Sequence, residues 1–401
     1  VCSWTLAFSF FSLGKLYFGL NDLATMGNFL KSFQGIGKGF FHSILPAYFF
    51  FFVTCFVTFF ILYHGLAKGI ERLCKVSMPA LLIVAIILLV RTLTLGTPVP
   101  THPERSAIAG LGFLWNPNFS ELKNASTWLA AAGQIFFTLS LGLGALQCYT
   151  SYLSEHDDIV LSGLTVASLN ETVEVIFGGS IAIPAGVAFF GITAIAAGGA
   201  FDLAFLSTPL VLAQLPLGQL WGFLWFFLLF LAGIGPLMSI IQPFVSFLID
   251  ELKISWKRAV ILTAIAIFFL AHFVIFYLKY GFLDELDFWI GTVSLPLLGL
   301  IEVILFGWVY GIDKGFKEMH KGALLKAPSI YRFIIKYITP MCLATLFLVW
   351  IWQDGIKLFF LEGIPASEKP YRIMARGIIL VAFLGCMWLV RLAWKRRTNE
   401  T

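Results

Sequence analysis

The stretch from Trp128 to Tyr152, WLAAAGQIFFTLSLGLGALQCYTSY, constrains this chain more than any other. It is apolar enough to cross a bilayer, for which about 20 such residues suffice. It does not read as one helix. The pattern is helical up to Thr138. Then Ser140-Leu141-Gly142-Leu143-Gly144 brings two glycines close together, where helix propensity is poor. From Ala145 to Tyr152 the helix can resume. A break inside a membrane strands backbone N–H and C=O groups that lipid cannot satisfy. The break must therefore be buried in protein or line a cavity. Transporters use such breaks near the midplane as binding sites, with half-helix ends facing ions and substrate. Glycines also let helices pack closely. Gln134, Thr138 and Ser140 beside the break tip the reading towards a binding site.

The rest of the chain supplies a membrane protein around this break. Of 401 residues, 59% are hydrophobic and 12% charged, against about 25% charged in soluble domains. A soluble domain has almost no room. The net charge of +5 sits in short loops between apolar runs, so it does not point to nucleic acid. The cysteines, Cys2, Cys55, Cys74, Cys148, Cys342 and Cys386, have no metal-ligand spacing and read as packing residues. The chain starts at Val1, inside an apolar run, and is expected to be the product of a truncation, with no signal peptide.

In order, Val1 to Leu13 reads as the end of a span. Gly14 to Ser43 is a glycine-rich loop with a short helix. Uninterrupted spans are expected at Phe49 to Tyr63, Ser77 to Val90, Ile159 to Phe190, Arg258 to Tyr280, Phe288 to Tyr310, Phe333 to Trp352 and Ile373 to Trp394. Leu220 to Phe247 is a span interrupted at Gly235-Pro236. With the broken stretch this makes nine spans and one remnant. Thr92 to Thr127 is a long polar connection, and Gly191 to Gly218 a loop that folds back. The positive-inside rule places the basic loops at Lys68 to Lys75, Lys253 to Arg258 and Lys314 to Lys326 in the cytoplasm. The C-terminal tail, Lys395-Arg396-Arg397, joins them, and these loops alternate correctly. The acidic turn Glu155 to Asp158 is the exception.

Several polar residues in the apolar runs carry chemistry. Asn170 and Glu174 are i,i+4 on one span, with Glu171 beside them. A carboxyl group in the bilayer is expensive and marks a functional site by default, although a protonated glutamic acid can also bond helices together. Thr138 and Asn170 offer oxygens, which hard cations prefer, and would suit sodium. A threonine bonded back to its own helix is the common alternative. Pro236 deprives the Ala232 carbonyl of its helical partner. Gln242 and Asp250 lie towards the cytoplasmic end of their span. Asp284, Glu285 and Asp287 read as solvated charges at the outer face. His272 reads as a hydrogen-bonded core residue. No Ser/His/Asp set, phosphate loop or zinc motif is visible.

The segments WLAAAGQIFFTLSLGLGA, SGLTVASLNETVEVIFGGSIAIPA, LWFFLLFLAGIGPLMSIIQP and LDELDFWIGT closely resemble the neurotransmitter:sodium symporter family, above all its bacterial amino-acid transporters. The resemblance runs from Trp4 to the tail, through KGIERLCKVSMP and Thr339-Pro340. It implies an all-α polytopic membrane protein with a LeuT-like inverted-repeat fold. Family members have twelve spans, and by this resemblance the chain lacks spans one, two and most of three. Residues 1–401 would be a single transporter domain, with the second repeat over about 127–310. By the same resemblance, Phe137 matches an aromatic lid over the substrate, and Ser140, Leu143, Pro236 and Ile240 stand at pocket positions. Thr138 and Asn170 match ligands of a first sodium, and Ala232 a carbonyl ligand of a second. Glu174 stands where chloride-dependent relatives bind chloride, which implies chloride independence or proton counter-transport. Asp287 matches an outer gate, and Asp250 an inner gate flanked by Tyr152 and Gln242. Two departures matter. Leu143 replaces a common pocket phenylalanine. Gly235-Pro236 replaces a Thr-Ser pair whose hydroxyls help bind the second sodium, and no lysine between Met78 and Val90 supplies a substitute charge.

The expected function is sodium-coupled symport of hydrophobic amino acids across the cytoplasmic membrane by alternating access, without enzymatic chemistry. Sodium serves as coupling ion and no other cofactor is expected. The partners are amino-acid substrate, sodium and membrane lipid, with a homodimer left open and no nucleic acid. The chain would be multi-pass, with its C-terminus in the cytoplasm. Two rivals stand beside this reading: a remnant that does not transport, and a membrane sensor that binds an amino acid without moving it.

Overall fold

Inside lipid every backbone polar group needs an internal partner, so an apolar chain of this kind must resolve into helices. The computed structural model describes residues 1–154 and 156–400, apart from the side chains at 66–68, 200, 399 and 400. The described residues form helices and connecting turns, with no strand among them. Among the described residues, eight helices are long and apolar enough to cross a membrane: Leu45–Tyr63, Gly69–Leu93, Ile159–Phe190, Gly218–Asp250, Trp256–Tyr280, Phe282–Met319, Ile330–Phe359 and Lys369–Thr398. They coincide with the expected spans other than the broken stretch. That stretch forms two helices, Ala125–Thr138 and Ala145–Thr150.

The structure corrects several boundaries. The basic loop expected up to Lys75 ends early, because helix is already under way at Gly69 and Lys75 pairs with Glu71 at 2.6 Å one turn back. The side chain of Lys68 lies outside the described residues, and so does Glu155 of the acidic turn. Gly235-Pro236 does not interrupt its span: Gly218–Asp250 is helical throughout. A proline's fixed φ is close to the helical value, so its lost N–H is a local defect that the flanking turns can carry. The connection after Thr92 contains a helix, Ala107–Trp115, whose N-terminus Ser106 caps by accepting from the Ala109 N–H at 3.0 Å. The segment expected to fold back does so as helices, burying Leu210, Val211 and Leu212.

The chain divides into two compact units. The first comprises Val1–Pro117, Glu171–Ile241 and Trp256–Ile265. Its core is aromatic. Phe8 packs on Phe226 at 5.0 Å and on Phe205 at 5.3 Å, and Phe11 meets Phe33 edge-on at 5.1 Å. Such geometries contribute beyond simple area burial. Tyr17 is fully buried with its hydroxyl 2.7 Å from Ser12 Oγ, which satisfies both groups. Helix Leu45–Tyr63 turns Phe49, Phe52, Phe56 and Phe60 outward and buries Thr54, Thr58 and Leu62. Lipid is as apolar as a protein core, so this helix turns its hydroxyls inward.

The second unit comprises Asn118–Asn170, Gln242–Ser255 and Ala266–Thr401. Ala125, Leu129, Val293, Phe347 and Trp350 form a buried cluster within it. The first half of the broken helix is anchored at its start, where the Ala125 N–H donates to Gln353 Oε1 at 2.8 Å. At its far end it approaches the span Phe282–Met319 closely. A Cβ at Gly133 would lie 3.0 Å from Thr292 Cα, and one at Gly299 would collide with the Phe136 ring. Small residues let the backbones meet there.

Candidate functional site

The break lies in the second unit. Leu141 N–H donates to Phe136 O at 2.7 Å and Ser140 N–H to Phe137 O at 3.0 Å. Ser140 has φ +57°. This 6→1 and 5→2 pair around a left-handed residue is a Schellman ending, which caps the last carbonyls of the first half. The left-handed position normally takes glycine, and a residue with a Cβ there costs about 1 kcal/mol or more. Gly142 and Gly144, at φ +71° and +73°, complete the reversal without that cost. A Cβ at Gly142 would sit 2.8 Å from Leu295 O, so the break is pressed against protein. Gly144 caps the second half, whose first N–H groups have no intrahelical acceptor. The Phe136 and Phe137 carbonyls thus find donors within the protein, as a break inside a membrane requires.

Thr138, the last helical residue before the break, meets Asn170. Thr138 Oγ1 donates to Asn170 Oδ1 at 3.2 Å and accepts from Asn170 Nδ2 at 3.0 Å. Two neutral oxygens are thus held side by side, a half-buried pair suited to a hard cation. Phe137 beside Thr138 is about half exposed, and Leu143 is partly buried.

A second cluster lies beyond the break. Gln242 is fully buried, and its Nε2 donates to Ser246 Oγ at 3.0 Å. Tyr152 Oη lies 3.2 Å and Cys148 Sγ 3.3 Å from the same Ser246 oxygen. Thus Tyr152 and Gln242, expected beside an inner gate, are linked through Ser246. Sequence reasoning singled out neither Ser246 nor Cys148 as functional. The signal available was spacing: Gln242 and Ser246 are i,i+4, as are Cys148 and Tyr152. Asp250 is exposed at the end of its helix. At the start of helix Ile159–Glu171, the Asp158 carboxylate accepts from the Leu161 and Leu324 N–H groups at 2.8 and 2.7 Å. These bonds, that to Leu161 first, hold it below the usual carboxylate range.

Near the start of the span Phe282–Met319, Asp287 is exposed. Glu285 is a correction. It was expected to be solvated, yet it is buried, with Arg376 Nε at 2.6 Å and Arg372 Nη1 at 3.2 Å. Trp289 Nε1 donates to it at 2.7 Å. Helix geometry separates the two carboxylates: residues i and i+2 point to different sides.

Ala232, Pro236, Ile240 and Glu174 belong to the first unit. Glu174 lies in a π-helical segment, Thr172–Gly179. Such bulges recur at functional sites. Ile240 is exposed, and Ser239 Oγ donates to the Gly235 carbonyl at 3.2 Å. His272 Nδ1 lies 2.7 Å from Phe268 O, in keeping with a hydrogen-bonded structural histidine.

Comparison with known proteins adds independent findings. The model of the Sodium:neurotransmitter symporter family matches residues 25–362. An uncharacterized sodium-dependent transporter of Methanocaldococcus jannaschii is 32% identical over 332 residues, covering 81% of this chain and 64% of that protein. An uncharacterized sodium-dependent transporter of Bacillus subtilis is 30% identical over 305 residues, covering 73% and 64%. The chain thus spans a little under two thirds of these relatives. Among solved structures, the crystal structure of MhsT in complex with L-phenylalanine matches with a TM-score of 0.73 and 28% identity, covering 86% of this chain and 76% of that one.

Proposed function

The chain belongs to the sodium:neurotransmitter symporter family, and we propose that it serves sodium-coupled uptake of apolar amino acids across the cytoplasmic membrane by alternating access. The family consists of transporters, not enzymes, and its fold is the LeuT-like one. The observation that carries the proposal is the pairing of Thr138 with Asn170 at a capped helix break. Sodium, as co-transported substrate, takes the Thr138 hydroxyl and the Asn170 amide oxygen as two of its ligands. The break receives the charged groups of an amino acid. Phe137 and Leu143 offer apolar surface for its side chain, and the relative bound to L-phenylalanine supports this substrate class. Asp287 and Asp250 act as outer and inner gates. Ala232 has lost the neighbouring hydroxyls expected for a second sodium, so one sodium per substrate is the proposed coupling. The tail Lys395–Arg397 lies in the cytoplasm.

The test is uptake of labelled amino acids by the protein in vesicles with an imposed sodium gradient. Uptake of phenylalanine or leucine that depends on sodium, with a Hill coefficient near unity, supports the proposal. Binding of the amino acid without uptake would favour the sensor reading instead.

A further inference from the structure

Ser246 is the hub of a side-chain cluster that the sodium and substrate sites do not use. Its Oγ accepts from Gln242 Nε2 at 3.0 Å and lies within hydrogen-bond reach of Tyr152 Oη and Cys148 Sγ. A serine hydroxyl has one proton to give and two lone pairs to offer, so these three partners use its full capacity. Gln242 is fully buried, and its Oε1 has no partner among the described residues. A buried amide with an unmet acceptor is already under tension, and losing its donor bond as well would leave both ends unmet. Adjacent turns of two helices thus face each other across one hydroxyl.

The shorter of these helices is also held on its other side by Gln147, whose Nε2 donates to Glu302 Oε1 at 2.7 Å. Ala145–Thr150 has six residues and is preceded by Gly142 and Gly144, both left-handed. Beyond it Tyr152 is largely exposed, and its hydroxyl is its tether. A short half-helix on a glycine hinge moves readily unless side chains fix it.

We propose that Ser246 is a positioning residue: it latches the half-helix after the break onto helix Gly218–Asp250 through Tyr152 and Cys148. The half-helix parts from helix Gly218–Asp250 only when these bonds break. The inference rests on the transport reading above, in which this end faces the cytoplasm and opens in turn with the other. It adds Ser246 and Cys148 to the residues that set the rate of opening. A net hydrogen bond between neutral groups shifts such an equilibrium by roughly three- to tenfold.

Cys148 is its own reporter. The purified protein, with the other cysteines replaced by serine, is treated with N-ethylmaleimide and modification of Cys148 is timed. Ser246→Ala should speed modification by roughly three- to tenfold. Ser246→Thr, which keeps the hydroxyl, should react within about twofold of the unsubstituted protein. Tyr152→Phe should also speed it, but add little to Ser246→Ala, because both cut the same bond. Equal rates in Ser246→Ala and the unsubstituted protein would overturn the latch. So would equal acceleration by Ser246→Thr and Ser246→Ala, which would point to packing and not to the hydroxyl. Adding sodium separates the two readings. If sodium changes the rate in no variant while Ser246→Ala still accelerates it, the latch stands and the transport reading fails.

Discussion

Thr138 and Asn170 exchange two hydrogen bonds across 32 residues of chain, hydroxyl to amide oxygen at 3.2 Å and amide nitrogen to hydroxyl at 3.0 Å. Each oxygen is satisfied by the other residue. A sodium ion bound there would take the two oxygens as ligands in place of these hydrogen bonds.

Asn170→Ala should therefore weaken sodium binding by roughly ten- to a hundredfold, the worth of one hydrogen bond or ligand contact to a charged group. Because coupling is reciprocal, the sodium-induced gain in substrate affinity should fall as well. Substrate titrations at low and high sodium check this. An unchanged sodium effect in the variant rules out Asn170 as a ligand.

Glu174 stands four residues beyond Asn170, in the π-helical segment Thr172–Gly179. A fixed carboxylate in lipid surroundings supplies the negative charge that another protein would take from an anion. Glu174→Ser should make uptake depend on chloride. Equal uptake by this variant in chloride and in gluconate refutes the assignment.

Glu285 is buried between Arg372 and Arg376. Glu285→Ala leaves both guanidinium groups without their carboxylate and should cost about 3–5 kcal/mol. Asp284→Asn, one residue away and exposed, should stay within about 0.5 kcal/mol. Thermal unfolding in detergent measures both. A Glu285→Ala loss below about 1 kcal/mol would mean the pair contributes little.

Asp158 is held below the usual carboxylate range by two backbone N–H groups, one from its own helix and one from Leu324. A depressed folded-state pKa means that ionised Asp158 favours the folded form. Its contribution is full above the ordinary carboxylate pKa and is lost as pH falls through the depressed value. Asp158→Asn should therefore lower the unfolding midpoint at neutral pH, and the gap to the unsubstituted protein should close as the solution is acidified below the carboxylate range. A gap that is the same at both pH values would show that the charge is not involved.

Much of the fold was legible in the sequence. Apolar run length is a local property, and it marks seven uninterrupted spans and an eighth that reads as interrupted at Gly235-Pro236. The break at Ser140–Gly144 was equally legible, because glycine's access to positive φ is intrinsic to the residue. The pairing of Thr138 with Asn170 was suggested by their oxygens and by family resemblance. Helix Ala107–Trp115 was missed: prolines on both sides disguised a short apolar run that packs on Pro184, where a Cβ at Gly110 would come within 2.4 Å.

By itself the sequence determined what each residue prefers: lipid or protein, helix or turn, cation or apolar contact. Those preferences follow from the side chain and a few neighbours, and they were enough for the class of protein and the position of its break. Only the tertiary structure decided the long-range pairings. Glu285 reads as a surface charge until two arginines, 87 and 91 residues on, close over it. Ser246 reads as an ordinary small helix residue until Tyr152, 94 residues earlier, reaches its hydroxyl. Gly235-Pro236 reads as a break until its helix runs through it. A polar group's environment depends on which distant segment packs against it, and no local preference specifies that partner.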